Sequence, residues 1–235
     1  MRVSVIIPAL NEAESIGFVV GEMPWALIDE CIVVDNGSTD DTAAIAAAAG
    51  ARVVSAPRGY GAACMDGAAA ALSTSDVLVF LDGDGADIPA HLPELLAPIG
   101  RGEQDLVLGT RLGARATALK REKGSMLASQ IFAGWFVSTL LRLRFPGRHR
   151  YTDMCAFRAI RRTSLDSLGM RERTYGWNLE MQIRALQRGL HVMEIPVGYR
   201  VRYGGISKVS GDFRVSMKAA HRILEVLFRV TAERG

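Results

Sequence analysis

The stretch Asp76-Val-Leu-Val-Phe-Leu-Asp82-Gly-Asp84-Gly-Ala-Asp87 decides the fold. Val77 to Leu81 form an unbroken apolar run, short enough for a buried strand and too short for a helix. The run stops at an Asp-x-Asp pair, with a third carboxylate, Asp87, close behind. A buried strand that ends in carboxylates delivers them to the crevice at the carboxyl edge of an open α/β sheet, where such sheets bind ligands. Alternate residues of an extended chain point the same way, which puts Asp82 and Asp84 on one face. Paired hard oxygen ligands beside a phosphate-bearing substrate suit Mg²⁺ or Mn²⁺. Asp-Gly-Asp-Gly is also strong turn chemistry, so the residues read equally as a turn. An EF-hand is excluded, because its sixth position would be Asp87 instead of glycine and its twelfth Pro93.

Working outward toward the N-terminus, Val3-Ser-Val-Ile-Ile-Pro8 reads as a strand stopped by proline. Asn11 opens a helix running to about Val20, with acidic residues in its first turn. Cys31 to Val34 is a second buried strand. It ends in the polar turn Asp35-Asn-Gly-Ser-Thr-Asp-Asp-Thr42, which leads into an alanine-rich helix over 43–49. Arg52 to Ser55 is a third strand, and an alanine-rich helix follows to about Leu72. Strands alternating with helices, and strand ends rich in Asp, Asn and Gly, predict an α/β fold. Its sheet is mixed but mainly parallel, with ligands at the carboxyl edge. Gly59-Tyr-Gly61-Ala-Ala-Cys64 imitates a dinucleotide fingerprint, but its third glycine is Cys64 and it follows the third strand. The helix N-terminus that it opens is either a phosphate site or a point of close helix–strand packing.

At 235 residues, with no low-complexity tract or solenoid repeat, the chain suits one sizeable core with a C-terminal elaboration. Met1-Arg2 run straight into a strand, so no signal peptide is expected. Three cysteines without a Cys-x-x-Cys fit a reducing cytoplasm. The four histidines show no metal-ligand spacing. The net charge of +3 hides a division. Residues 1–100 hold 3 basic and 14 acidic side chains, a net of −11. Residues 101–173 hold 15 and 6, a net of +9, and residues 174–235 hold 10 and 5, a net of +5. The acidic part suits a metal and the basic part an anion: a phosphate, an anionic lipid surface or, ranked last, nucleic acid, for which no motif is present.

Past residue 100, Leu106-Val-Leu-Gly-Thr-Arg111 is another strand, ending in arginine. Gly124 to Leu141 is free of charge, with Lys120, Arg121 and Lys123 before it and Arg142 and Arg144 after it. Polar interruptions such as Ser125 and Gln130 argue against a membrane span, which leaves an interfacial helix or a buried core helix. Glu180, just after Trp177-Asn-Leu, is either functional or the i,i+4 partner of Arg184. His191 to Val197 resembles a strand. Arg200, Arg202 and Lys208 cluster around Gly204-Gly205 as in a basic loop. A last helix over 212–231 has Val215, Ile223, Val226, Leu227 and Val230 on one stripe, opposite Lys218, Arg222, Glu225 and Arg229. It packs on the body or lies on a membrane.

Val5-Ile-Ile-Pro-Ala-Leu-Asn-Glu12, Ile32 to Thr42, Arg58-Gly-Tyr-Gly-Ala-Ala63 and Leu81-Asp-Gly-Asp84 occur in this order. Together they resemble family 2 glycosyltransferases of the GT-A fold, within them dolichyl-phosphate mannose synthases and bacterial polyprenyl-phosphate hexose synthases. Gly109-Thr-Arg111, Phe157 to Arg161, Trp177 to Met181 and Arg202 to Lys208 agree, so the likeness covers about 3 to 210. The resemblance implies a GT-A unit over 1–210, with a nucleotide-sugar and metal half over 1–100 and an acceptor half over 101–210, followed by an amphipathic helix over 211–235. It implies a nucleotide-sugar donor of the GDP-mannose or UDP-glucose type, bound by Pro8, Leu10, Asn11, Glu12 and Asp35. It implies a Mg²⁺ or Mn²⁺ ion on Asp82 and Asp84, and Arg202 with Lys208 on the diphosphate. Arg111, Arg121 and Ser125 match residues that hold the phosphate of a polyprenyl-phosphate acceptor. Two departures stand out. Ala86, followed by Asp87, occupies the place where mannose synthases commonly have Gln, which makes Asp87 a candidate ligand, direct or through water. Asn36 replaces the usual second Asp of the Asp-Asp-Gly-Ser motif.

The implied activity is inverting hexosyl transfer to a polyprenyl phosphate, with a cytoplasmic location that is at most peripheral at the inner face of the membrane. The alternatives are a family 2 transferase acting on a hydroxyl acceptor, a non-catalytic nucleotide-sugar-binding protein and, below these, a dinucleotide-dependent oxidoreductase.

Overall fold

The apolar runs of the N-terminal half pair side by side, because each is long enough for a strand and each connection between them is long enough for a crossover helix. The computed structural model describes residues 1–112, 122–126, 128–148, 151–204 and 213–233. Strands β1 (Val3–Ala9), β2 (Glu30–Asp35), β3 (Arg52–Ser55) and β4 (Val77–Phe80) are parallel, joined by α1 (Ile16–Gly21), α2 (Thr42–Ala48) and α3 (Tyr60–Ala70). Beyond β4 come α4 (Leu92–Gly100), β5 (Leu106–Thr110), α5 (Ala128–Arg144), β6 (Arg158–Arg161), α6 (Arg162–Leu168), α7 (Trp177–Arg188), β7 (Val192–Pro196) and α8 (Phe213–Ala232). The described strands form one sheet in the order β3-β2-β1-β4-β6-β5-β7, with β6 antiparallel to both neighbours.

Side chains alternate across the strands, so the sheet carries a core on each face. On one face Val5, Ile7, Val33, Val79 and Leu81 meet Ile16 and Val19 of α1 and Leu92 and Leu95 of α4. On the other, Ile6, Ile32, Val34, Leu78 and Phe80 meet α3, α7 and α8, with Phe80 and Trp177 edge to face at 4.8 Å between ring centroids. The register Ile6↔Phe80 and Ala9↔Asp35 brings the ends of β1, β2 and β4 to one edge.

Three elements went unassigned from sequence. Pro93 and Pro98 mask α4, although Pro93 occupies its tolerant first turn. In β6, arginines bracket only two apolar residues, and α6 follows it directly. The charge-free helix expected over 124–141 is α5, shifted to Ala128–Arg144. Among the described residues no helix is long and apolar enough to cross a membrane.

The last helix packs on the body over the residues whose side chains are described. Val226, Leu227 and Val230 are buried. Arg222 and Arg229 do more than face solvent as the polar stripe: both converge on Glu172, a carboxylate with no exposed surface, at 2.8 and 3.0 Å. Arg184 reaches Glu233 at 2.8 Å, and Arg144 of α5 donates to Thr231 O at 3.2 Å.

Candidate active site

Pro8 lies within β1, and the loop after β1, which carries Leu10, Asn11 and Glu12, is clasped to the loop after β2. Asn11 has φ 51°, a left-handed conformation that asparagine tolerates better than most residues. Its amide donates to Ser38 Oγ (2.9 Å) and its Oδ1 accepts from Thr39 N (2.8 Å). Glu12 N donates to Thr42 Oγ1 at 2.8 Å. Asp35 accepts from Ser38 N at 3.1 Å, and Asn36 Oδ1 accepts from Gly59 N at 3.0 Å. The polar residues of 35–42 thus shape the rim of the cleft, and Asn36 ties it to the start of α3. That helix start is closed to a phosphate by packing. Gly61 N donates to Thr174 O and Ala62 N to Arg173 O, and a Cβ on Gly61 would lie 2.2 Å from Glu172 O.

At the end of β4, both readings of Asp82-Gly-Asp-Gly hold in part: the segment is a turn, and it presents its carboxylates at the sheet edge. Gly85 supplies a φ of +78° that the turn requires. Asp84 Oδ1 accepts from Ala86 N at 2.9 Å, while Oδ2 accepts from Arg202 Nη2 at 3.0 Å. The same Nη2 lies 3.5 Å from Glu12 Oε1. Asp87 is buried, and its Oδ2 accepts from Asp82 N at 3.1 Å. Burial, with Asp87 and Asp84 adding like charge, pushes the Asp82 carboxyl up to about 8. Burial is also the main cause that lifts Asp87 to about 6.

The segment 199–204 is laced over this turn. Arg200 N donates to Ala86 O and Tyr203 N to Asp84 O, both at 2.9 Å. The Tyr203 ring stacks on Phe18 at 4.5 Å, and Arg200 pairs with Glu22 at 2.7 Å. Arg202 Nη1 is buried with no hydrogen-bond partner among the described residues. A donor without a partner among the described residues at the sheet edge fits an anion. Among the described residues no group of three or more His, Cys, Asp and Glu could hold a metal by itself. An ion of the Mg²⁺ kind needs only one or two carboxylates together with substrate phosphates. Lys208 and Arg121 lie outside the described residues.

Arg111 follows β5. It donates from Nε and Nη2 to the two carboxylate oxygens of Asp153, each at 2.8 Å, and from its amide at 3.0 Å. Its Cζ sits 4.8 Å from the centre of the Tyr199 ring. Burial works against both charges of this pair, and each partner more than offsets it for the other: Arg111 is held above, and Asp153 below, its ordinary pKa. Asp105, the sequence-local carboxylate, instead lies near Arg161 (3.7 Å) and His191 (3.5 Å). Ser125 Oγ donates to Glu122 O at 2.8 Å, and the Glu122 carboxylate accepts from Val201 N at 2.8 Å, which joins that turn to 199–201. Glu180 has a structural role: with no exposed surface, it accepts from the amides of Arg171 and Glu172 and from Arg184 Nε at 2.9 Å. Sequence reasoning passed over Asp153, whose only local signal is a lone carboxylate among Tyr151, Met154 and Cys155.

Helix α5 covers this side. A Cβ on Gly134 would lie 3.8 Å from Leu112 Cδ1 and from Thr152 O, so the helix seats directly on the neighbours of Arg111 and Asp153. Val137, Ser138 and Leu141 are buried on the same face. The opposite face is open and apolar: Phe132, Trp135, Phe136 and Leu143 are 63, 59, 38 and 73 % exposed.

A mixed, mostly parallel sheet flanked by helices, with an Asp-x-Asp turn at its carboxyl edge under an arginine-bearing segment, is the architecture of GT-A glycosyltransferases. The chain belongs to glycosyl transferase family 2, whose sequence model matches residues 4–169. It is 39 % identical over 218 residues to an uncharacterized glycosyltransferase of Mycobacterium tuberculosis, covering 92 % of this chain and 94 % of that one. It is 31 % identical over 242 residues to a polyprenol monophosphomannose synthase of Mycolicibacterium smegmatis, covering 97 % and 85 %. Among solved structures it superposes with a TM-score of 0.76 and 26 % identity on the glucosyl-3-phosphoglycerate synthase of M. tuberculosis in complex with Mn²⁺, UDP-glucose and phosphoglyceric acid, covering 98 % of this chain and 80 % of that one.

Proposed function

We propose that this glycosyltransferase moves a hexose from a nucleotide sugar of the GDP-mannose or UDP-glucose type to a polyprenyl phosphate at a membrane surface. In this reading residues 1–100 serve the donor and 101–210 the acceptor. Pro8, Leu10, Asn11, Glu12 and Asp35 line the nucleoside site, and Asp82 and Asp84 hold Mg²⁺ or Mn²⁺. The metal, when bound with the donor, supplies Lewis-acid stabilisation of the departing diphosphate. Arg202 and Lys208 neutralise that diphosphate, and Arg202 gives up Asp84 to do so. Arg111, with Arg121 and Ser125, holds the acceptor phosphate. A phosphate monoester is largely ionised at neutral pH, its second pKa lying near ~6. It therefore attacks without a general base: one phosphate oxygen bonds to the anomeric carbon as the bond from that carbon to the diphosphate oxygen breaks, and the electron pair leaves with the nucleoside diphosphate.

The observation that carries the lipid acceptor is the open aromatic face of α5, whose buried face seats beside Arg111 and Asp153. Exposed Arg142, Arg144 and Arg148 at its end suit anionic headgroups. A soluble acceptor gives no reason for such a face next to its own binding arginine. The second reading, transfer to a small phosphate-bearing acid, rests on the likeness to glucosyl-3-phosphoglycerate synthase, and its hydroxyl acceptor needs a general base. Purified protein with Mn²⁺ and a panel of UDP- and GDP-sugars, offered either polyprenyl phosphate in mixed micelles or 3-phosphoglycerate, separates the two. Product with the lipid is the expected result; product with 3-phosphoglycerate alone overturns the lipid acceptor.

A further inference from the structure

We propose that Asp153 is a positioning residue that aims Arg111 at the acceptor phosphate; the inference rests on the acceptor role proposed for Arg111. The segment 151–154 has no regular secondary structure, yet it is tied down from three sides. Tyr151 Oη donates to Gln182 O (3.1 Å), and Gln182 Nε2 donates back to Asp153 O (2.8 Å). The Glu194 carboxylate on β7 accepts from Thr152 N (2.9 Å), Thr152 Oγ1 (2.8 Å) and Asp153 N (3.4 Å). Met154 N donates to Asp153 Oδ1 at 2.7 Å. The Asp153 side chain, 3 % exposed, is thereby fixed before it meets Arg111.

Two parallel N–H···O bonds donated by Arg111 to the Asp153 carboxylate then set the plane of the guanidinium, and the Tyr199 ring covers one of its faces. A free arginine at a strand end samples many rotamers, whereas this one is presented in a single pose before an anion arrives. Buried ion pairs give little net stability compared with apolar packing of the same volume. What this pair supplies is orientation, the kind of support that a binding constellation needs from the residues behind it.

The test is a double-mutant cycle on acceptor saturation, with polyprenyl phosphate in mixed micelles and a saturating donor. Asp153→Asn keeps the side-chain shape but removes the charge. It is expected to raise the acceptor KM about tenfold, with the donor KM unchanged within about twofold. In an Arg111→Ala background the same substitution is expected to leave the acceptor KM unchanged, because Asp153 acts only through Arg111. A purely structural role lowers the melting temperature and leaves this coupling at zero. An unchanged acceptor KM in Asp153→Asn, or an equal increase in both backgrounds, overturns the proposal while leaving the role of Arg111 standing. An unchanged acceptor KM in Arg111→Ala alone overturns both. Should circular dichroism show Asp153→Asn unfolded, Asp153→Glu takes its place: it keeps the charge but displaces it by one methylene. It is expected to raise the acceptor KM with a melting temperature near that of the unmodified protein, and a normal acceptor KM in that variant overturns the proposal.

Discussion

Two arginine–aspartate pairs at the carboxyl edge of the sheet are built differently. Arg111 grips Asp153 with two guanidinium nitrogens and its amide, and the side chains are only 15 and 3 % exposed. Arg202 touches Asp84 through one nitrogen, shares it with Glu12 at 3.5 Å, and keeps another nitrogen without a partner among the described residues; here the side chains are 22 and 17 % exposed. The first pair cannot part without stranding a charge in a low-dielectric setting. The second is a single contact at the crevice, which a phosphate can replace. The lesson is that pairing alone does not say whether an arginine is fixed in its pose or ready to change partners. The number of bonds, the burial and the leftover donors decide it.

The contrast can be broken from either side. The largest effect belongs to Asp84→Asn, expected to cost about a thousandfold or more in Mn²⁺-dependent turnover. Its melting temperature stays near that of the unmodified protein, because Asp84 is an edge residue outside the core. Full turnover in that variant removes Asp84 from the metal site. Next comes Arg111→Ala, which leaves Asp153 buried and unpaired and is expected to cost about 3–5 kcal/mol of stability, measured by chemical denaturation. A stability close to that of the unmodified protein contradicts a buried Asp153 charge that depends on Arg111. Arg202→Ala sharpens the comparison by its opposite signature. It is expected to lower kcat/KM for the donor about ten- to a hundredfold, a loss of roughly 1.5–3 kcal/mol, with little change in stability. A large loss of stability and normal donor kinetics reverses the distinction.

The smallest effect concerns pH. Burial opposes the charge on Glu172, but hydrogen bonds from Thr174 and Arg222 and the Arg222 charge more than compensate, holding its carboxyl below the usual 4.5. A carboxylate with a lowered folded pKa stabilises fully above its unfolded pKa and loses that contribution as the pH falls through the folded value. The melting-temperature advantage of the unmodified protein over Glu172→Gln is therefore expected to be about 2–6 °C at pH 7 and to vanish in acid. An advantage that does not depend on pH contradicts the anchoring charge.

The N-terminal half was legible because its signals are local. β4 and Asp82-Gly-Asp84 sit in one continuous stretch, and the order of strands and helices over 1–81 follows from apolar runs and turn residues. The parallel sheet and its ligand edge follow from that order. The second half was less legible, because its partners are far apart in sequence. Asp153 meets Arg111 across 42 positions, and Glu172 meets Arg222 across 50. Arg158 stood inside a strand that no pattern announced. With no exposed surface it is satisfied by carbonyls of Cys155, Ala156 and Asn178, which the sequence around it does not foretell. Gly59-Tyr-Gly61 shows one of two sequence readings, close packing, prevailing over the phosphate site. Its glycines resemble a phosphate cradle, yet they serve the approach of the 172–174 backbone.

The direction of β6 has a consequence for how such a protein can diversify. Because β6 runs against β4 and β5, the chain leaves β5 at Thr110 and re-enters at Arg158 on the same edge of the sheet. The intervening stretch, which carries Arg111, α5 and Asp153, hangs from that edge as a cassette, while the carboxylates at the end of β4 belong to the frame. Such a cassette can be lengthened, shortened or rewritten without re-threading a single strand. Under the proposed division of labour, a lineage can therefore trade one acceptor for another while its sugar-nucleotide chemistry stays where it is.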